Sequence, residues 1–417
     1  MSHLKPRILV FLLLGALSGT TVAQTDWAIE SVFPSYGEFN SPPPPCLPPA
    51  VPYAVNFPPV PPAGCPSNAP FPIPCRMGGS AVDNNGNIFS GGPAVPAMVH
   101  SDGFTIEVTD EAGAYIVSMP VPPGAILPGL ISGLAYDSVA DICFITDGFF
   151  CAGVSLAACV IPPVVVPVFA LPVTPGAGAS GLGYDPCTGT IWFCECGTGL
   201  VKNCTLTGGL ITTFPASPPL MPLLEGLDVN KTNGNVQVTD GVMVAEFTPA
   251  GALAPVGPFY LTANPYPVPV WAAPVSGLGF SLRPQRYGVG CPVPGPLIGY
   301  AGGYPWAGNA GFSVNETGAP PGAVALFVIS LTRACPALPI GPCPGTGLWV
   351  MPPFLVPPIN LGLVPGSGFK SIPIPLPAPG FGPCSLPVGI PLYMQFVNIL
   401  GGSLFLSDAL TFTIGAP

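Results

Sequence analysis

Short apolar runs separated by tight turns fill the middle of the chain, most regularly between Gly181 and Phe214. Gly181–Asp185 reads as a short apolar strand. Asp185-Pro-Cys-Thr-Gly189 reads as a turn, in which Pro presets one dihedral and Gly supplies a positive φ. Thr190–Cys196, Leu200–Leu206 and Leu210–Phe214 read as three further strands, joined through Gly197-Thr-Gly199 and Thr207-Gly-Gly209. The pattern predicts four antiparallel strands linked by hairpins. Its opening strand belongs to a recurring phrase: Ser132-Gly-Leu-Ala-Tyr-Asp137, Ser180-Gly-Leu-Gly-Tyr-Asp185, Glu225-Gly-Leu-Asp228 and Ser276-Gly-Leu-Gly-Phe280, with a degenerate copy at Gly79-Ser-Ala-Val-Asp83. The glycines of the four full copies are spaced by 48, 45 and 51 residues, a period of propeller-blade size. One such sheet cannot bury both of its faces, and radial stacking about an axis solves that. Four copies are nearly complete, and a fifth is only a first strand at Gly277–Leu282. Strand-like residues around Trp27–Phe33, within the stretch 26–76, would complete it.

Composition agrees with an all-β chain. Pro (64) and Gly (54) are too frequent for helices, since each interior Pro costs about 3 kcal/mol. Gly lacks the three-residue period of collagen. Disorder is disfavoured by 49% hydrophobic and only 7% charged residues. Pro42–Pro74 is the exception, being so Pro-rich that irregular or polyproline-like chain is expected there.

The repeats resemble bacterial propeller repeats of the NHL and YVTN type, whose blades read Gly-Leu-Ala-x-Asp, a Gly turn, then an apolar strand. The resemblance covers about Gly79 to Leu282 and implies a propeller, without implying a function. Beyond it, Tyr287-Gly-Val-Gly-Cys291 opens a region whose segments Pro320–Ser330, Ile390–Val397 and Ser407–Gly415 read as strands. That region resembles a C-terminal domain of exported bacterial proteins, which opens on Tyr-Gly-x-Gly-Cys and closes on a Ser-x-Ala-Leu strand, and it implies a β-sandwich. The predicted organisation is a signal peptide at 1–23, a Pro-rich segment at 24–77 that could complete a blade, a propeller-like domain of about four to five blades at 78–286, and a β-sandwich-like domain at 287–417.

Export follows from the N-terminus. His3, Lys5 and Arg7 precede the apolar stretch Ile8–Leu17, and Thr21-Val-Ala23 offers small residues before a cut at Gln24. Later apolar stretches are broken by prolines, so no membrane span is expected. After the cut, residues 24–290 hold 17 acids and 5 bases, whereas 291–417 balance Glu316 and Asp408 against Arg333 and Lys370. A chain this acidic lacks the basic face that nucleic acid needs. The 14 cysteines, an even number in an exported chain, favour disulfides. Cys187, Cys194, Cys196 and Cys204 could instead surround Zn²⁺, but bridges to other strands are preferred, because Cys194 and Cys196 share one strand face.

Candidate chemistry is sparse. His100, in Ala97-Met-Val-His-Ser-Asp102, is the one histidine left after export, and no nucleophile elbow accompanies it. A resemblance to virginiamycin B lyase-type propellers implies a lyase, a chemistry that wants a histidine base beside a divalent ion. The repeated acids are the metal candidates. Asp137, Asp185 and Asp228 end the first strands, Asp147, Glu195 and Asp240 end the second, and together they could offer oxygen ligands to Ca²⁺. The alternative is that each acid bonds the backbone of its own turn. Asn203, Asn230 and Asn315 open glycosylation sequons. The function read from these features is a secreted or surface interaction protein with a protein or glycan partner and no catalytic residues. Two alternatives are a secreted lyase or glycosidase using carboxylates, and a self-assembling extracellular component.

Overall fold

The computed structural model describes residues 97–155, 164–216, 224–254, 275–339, 347–378 and 388–416 with short gaps, together with strands at 25–30, 36–40, 53–55, 79–83 and 259–260. The expected signal peptide, most of the Pro-rich segment, Asp102 and several cysteines lie outside these residues. Every regular element among the described residues is a strand, so the protein is all-β.

Five sheets of four antiparallel strands make up the repeat region. The first three open with inner strands Gly79–Asp83, Gly133–Asp137 and Gly178–Asp185, and the fourth with Gly226–Val229. The fifth opens with Val275–Ser281, and its remaining strands are Thr25–Glu30, Tyr36–Asn40 and Tyr53–Val55. Thr25 pairs with Ser281 and Ile29 with Gly277, so the two ends of the repeat region share one sheet. The inner strands touch in cyclic order, the fifth returning to the first. This is a propeller-like ring, closed by hydrogen bonds between distant parts of the chain.

The third sheet shows how sequence becomes blade. Its strands, Gly178–Asp185, Thr190–Cys196, Leu200–Cys204 and Leu210–Pro215, follow the predicted boundaries within three residues. Gly189 has φ 65°, as its turn requires. Both faces are buried, so its inner strands carry continuous apolar runs instead of alternation. Leu182, Ile191, Phe193 and Cys204 pack on the second sheet with Phe144 and Phe169. Trp192, Cys194, Val201 and Phe214 pack on the fourth with Leu227, Val238 and Phe247. Each fully buried side chain of this size contributes roughly 1.5–3 kcal/mol.

Each residue of the repeated phrase has its own task. Ser132 Oγ donates to the Ala179 carbonyl of the next sheet at 2.8 Å, and Ser180 Oγ to that of Leu224 at 2.6 Å. Glycine follows because the inner strands meet backbone to backbone. A Cβ on Gly181 would stand 2.6 Å from Leu227 N and 2.9 Å from Gly226 Cα, and one on Gly133 would stand 3.1 Å from Gly181 Cα. The leucines fill the inter-sheet cores. The Tyr184 hydroxyl bonds Asp137 of the preceding sheet, and its ring stacks on Phe144 at 5.2 Å. The close glycine contacts narrow the axis. The inner strands of the first and third sheets, which are not neighbours, come within 8 Å between Cα atoms.

After the ring, a five-stranded sheet orders Gln285–Tyr287, Ser403–Thr413, Pro391–Leu400, Val324–Ser330 and Ile359–Leu363. One face packs on a three-stranded sheet of Leu297–Ala301, Ser313–Thr317 and Lys370–Pro373, through Val314, Phe327, Phe396 and Phe412. The other face carries the hairpin Arg333–Pro339 and Gly347–Val350. The motif Tyr-Gly-x-Gly-Cys lays the chain along the last strand: Cys291 and Leu406 exchange 2.8 Å backbone bonds, and a Cβ on Gly290 would meet Leu406 O at 2.6 Å. In the closing motif, Ser407 Oγ accepts from Phe396 N at 3.0 Å, where the strand pairing shifts register.

Candidate interaction face

Antiparallel pairing separates the six candidate acids into two sets. In the second sheet Asp137 lies opposite Ile142, whereas Asp147 follows Thr146, which lies opposite Gly133. The third and fourth sheets repeat this arrangement. Asp137, Asp185 and Asp228 therefore occupy one end of the ring, and Asp147, Glu195 and Asp240 the other.

The first set holds turns. Asp137 Oδ1 accepts from Ala140 N at 3.2 Å, and Asp185 accepts from Cys187 N and Thr188 Oγ1 at 2.9 and 2.8 Å. Asp228 bonds Val229 N and lies 3.7 Å from Lys231 Nζ, which also donates to the Tyr184 carbonyl of the third sheet. The C-terminal sheets contact this end. Ala416 N donates to Lys231 O at 2.8 Å, and Met98, Leu282 and Tyr304 form a shared apolar cluster. Met98 pairs with Val82 beside Asp83, and Leu282 follows the fifth inner strand, so both belong to the same end.

At the opposite end Asp147 and Glu195 clamp the connections between sheets, and Asp240 holds its own hairpin turn. Asp147 accepts from Gly129 N, Phe149 N and Phe150 N at 2.9–3.0 Å. Glu195 is fully buried and accepts from Thr174 N, Thr174 Oγ1, Thr198 Oγ1 and Lys202 Nζ at 2.6–2.9 Å. Burial alone would raise its carboxyl, but the hydrogen bonds from Lys202, Thr174 and Thr198 outweigh that and hold it below the ordinary value. Asp240 Oδ1 accepts from Met243 N at 2.8 Å. Beside these clamped loops Phe149 is 55% exposed, and Phe150 and Val168 are also exposed. Phe150 pairs with Ala170, which places Val168 on the adjoining outer strand.

Among the described residues, no three His, Cys, Asp or Glu side chains converge as a metal site requires. Cys194 and Cys204 face different inter-sheet cores, so the four cysteines of the third sheet do not gather around one point. Cys151, Cys194 and Cys204 are buried free thiols, whose protons burial holds more tightly. Cys187, Cys196 and Cys291 are not among the free thiols. His100 lies mid-strand in the first sheet, opposite Ser80 and Glu107. Asn203 and Asn230, which open two of the sequons, are 5% and 0% exposed. Thr174, Lys202 and Lys231 were not singled out in the sequence, because their partners lie on other strands or other sheets.

No protein-family model and no curated protein matches the chain. Many solved structures are similar, and three of them serve as examples. A protein of unknown function from Bacteroides caccae shares 14% identity over 36% of this chain and 53% of its own, with a TM-score of 0.26. A catalytically inactive virginiamycin B lyase from Staphylococcus aureus, solved with quinupristin, shares 11% over 78% of this chain and 82% of its own, with a TM-score of 0.28. U3-55K shares 15% over 39% of this chain and 48% of its own, with a TM-score of 0.27. The chain thus spans about half the length of the first and third of these. The architecture rests on the sheet order and ring closure described above.

Proposed function

We propose that the chain is an exported, non-catalytic binding protein that presents the end of its ring bearing Asp147, Glu195 and Asp240 to a protein or glycan surface. One observation carries this reading. The acids of that end hold its loops in place, while Phe149 at a turn and Phe150 and Val168 on the strands beside it stand exposed. The arrangement favours contact over chemistry: an aromatic patch on rigid loops recognises a surface at small entropic cost. Among the described residues, the C-terminal sheets contact the opposite end. Export is part of the proposal, and N-terminal sequencing of secreted material should begin at Gln24.

The test compares the full chain with a Phe149→Ser/Phe150→Ser variant on a glycan array and on purified bacterial envelope. Binding by the wild type that falls at least tenfold in the variant, with an unchanged Tm, is the expected result. Equal binding by both, or turnover of a polysaccharide by the wild type, would overturn the reading.

A further inference from the structure

The C-terminal sandwich contains a polar pair that its hydrogen bonds leave incomplete. Glu316 faces inward from the three-stranded sheet beside Val314, and Asn398 faces inward from the five-stranded sheet on the same side as Met394 and Phe396. Both are fully buried. Asn398 Nδ2 donates to Glu316 Oε1 at 2.6 Å, which joins the two sheets. The other oxygen of each side chain, Glu316 Oε2 and Asn398 Oδ1, is buried and has no hydrogen-bond partner. Both are acceptors, so as a carboxylate and an amide they cannot satisfy each other. Leaving two buried acceptors unmet costs about 1–3 kcal/mol each.

We propose that this pair is a proton-binding site: Glu316 is held as a neutral carboxylic acid that donates through Oε2 to Asn398 Oδ1, and the proton completes the bond between the two sheets. The surrounding charges agree. Asp408, on the neighbouring strand, is engaged by Arg286 at 2.6 Å and by Ile298 N at 2.7 Å, though burial still raises its carboxyl above the ordinary value, and once ionised it opposes a second charge nearby. Lys370, opposite Glu316 across the sheet, donates to the Leu361 carbonyl at 2.8 Å. The strand Leu297–Ala301 presents Ile298 opposite Glu316, and Val324–Ser330 carries no ionisable side chain. Burial first, with the Asp408 charge adding and the Asn398 bond opposing, pushes the Glu316 carboxyl from 4.5 up to about 7. A group raised in the folded state gives stability that is complete below its unfolded value, and that stability is lost as pH rises through about 7.

Glu316→Gln supplies a permanent donor in place of the proton. Thermal unfolding of the full chain is measured for wild type and E316Q at pH 5 and pH 8.5. The wild-type transition should fall by roughly 5 °C relative to E316Q between the two pH values. A difference that is the same at both would overturn the proposal. Should E316Q fail to fold, ¹³C-carboxyl NMR of glutamate-labelled wild type decides alone. One glutamate resonance titrating near neutrality is expected, and all of them titrating below pH 6 overturns the site.

Discussion

Gly181 shows how little freedom the axis leaves. Its missing side chain admits Leu227 N and the Gly226 backbone, neither of which can move without shifting the fourth sheet. Gly181→Ala should therefore cost about 1–3 kcal/mol in urea unfolding. Gly299→Ala, where a Cβ meets nothing within 4 Å, should stay within about 0.5 kcal/mol of wild type. Lys202 makes a different case, because its ammonium lies 2.6 Å from the fully buried Glu195. Lys202→Met strands that carboxylate, and a loss of about 3–5 kcal/mol is expected from the same measurement. Asp147, Asp185 and Asp240 were legible as turn-formers from their places before Gly or Pro. The partners of Glu195 were not, because Thr174 lies 21 residues away on the connection from the preceding sheet.

Between elements, the phrase serine is a staple. Ser132→Ala and Ser180→Ala each remove one inter-sheet hydrogen bond, and each should cost about 0.5–1.5 kcal/mol. The two sites bridge different pairs of sheets, so the double variant should be close to additive when read by urea midpoints. Gln395 plays the corresponding part in the C-terminal sheets. It accepts from Trp349 N at 2.8 Å and donates to Gly347 O and Ser407 O at 3.2 and 2.8 Å, fixing the outer hairpin to the sheet. Gln395→Ala should speed amide exchange across Gly347–Val350 while leaving the ring unchanged. The Asn-rich turn of the fourth sheet is held by Glu246, which accepts from Asn233 and Asn235 at 2.9 and 2.6 Å. Turn composition announced that loop; only the hairpin register shows which carboxylate closes it.

For the whole molecule, the two regions should respond to pH with opposite sign. Glu195 is depressed in the ring, so its contribution is present above the unfolded value and is lost as pH falls through the folded one. Glu316 is raised, so its contribution is lost as pH rises. Calorimetry of the full chain at pH 4 and pH 8 should show the ring transition weakened at the acid end and the C-terminal transition weakened at the alkaline end. Transitions that move together would contradict this.

The repeat period, the hairpin turns and the strand boundaries of the third sheet were all determined by the sequence. They depend on contacts within some 40 residues, where turn chemistry and apolar runs decide the outcome. The Tyr-Gly-x-Gly-Cys and Ser-x-Ala-Leu phrases were likewise visible, though not their shared purpose of laying Cys291 against Leu406. Three matters belonged to the tertiary structure alone. One is the register in which Thr25–Glu30 pairs with Val275–Ser281, some 250 residues apart, although the unfinished fifth copy already implied that the two ends would meet. Another is the division of six similar acids between two ends of the ring. The last is the meeting of Glu316 with Asn398 across the sandwich. Each depends on which distant backbone lies opposite, and a local pattern of residues carries no record of that.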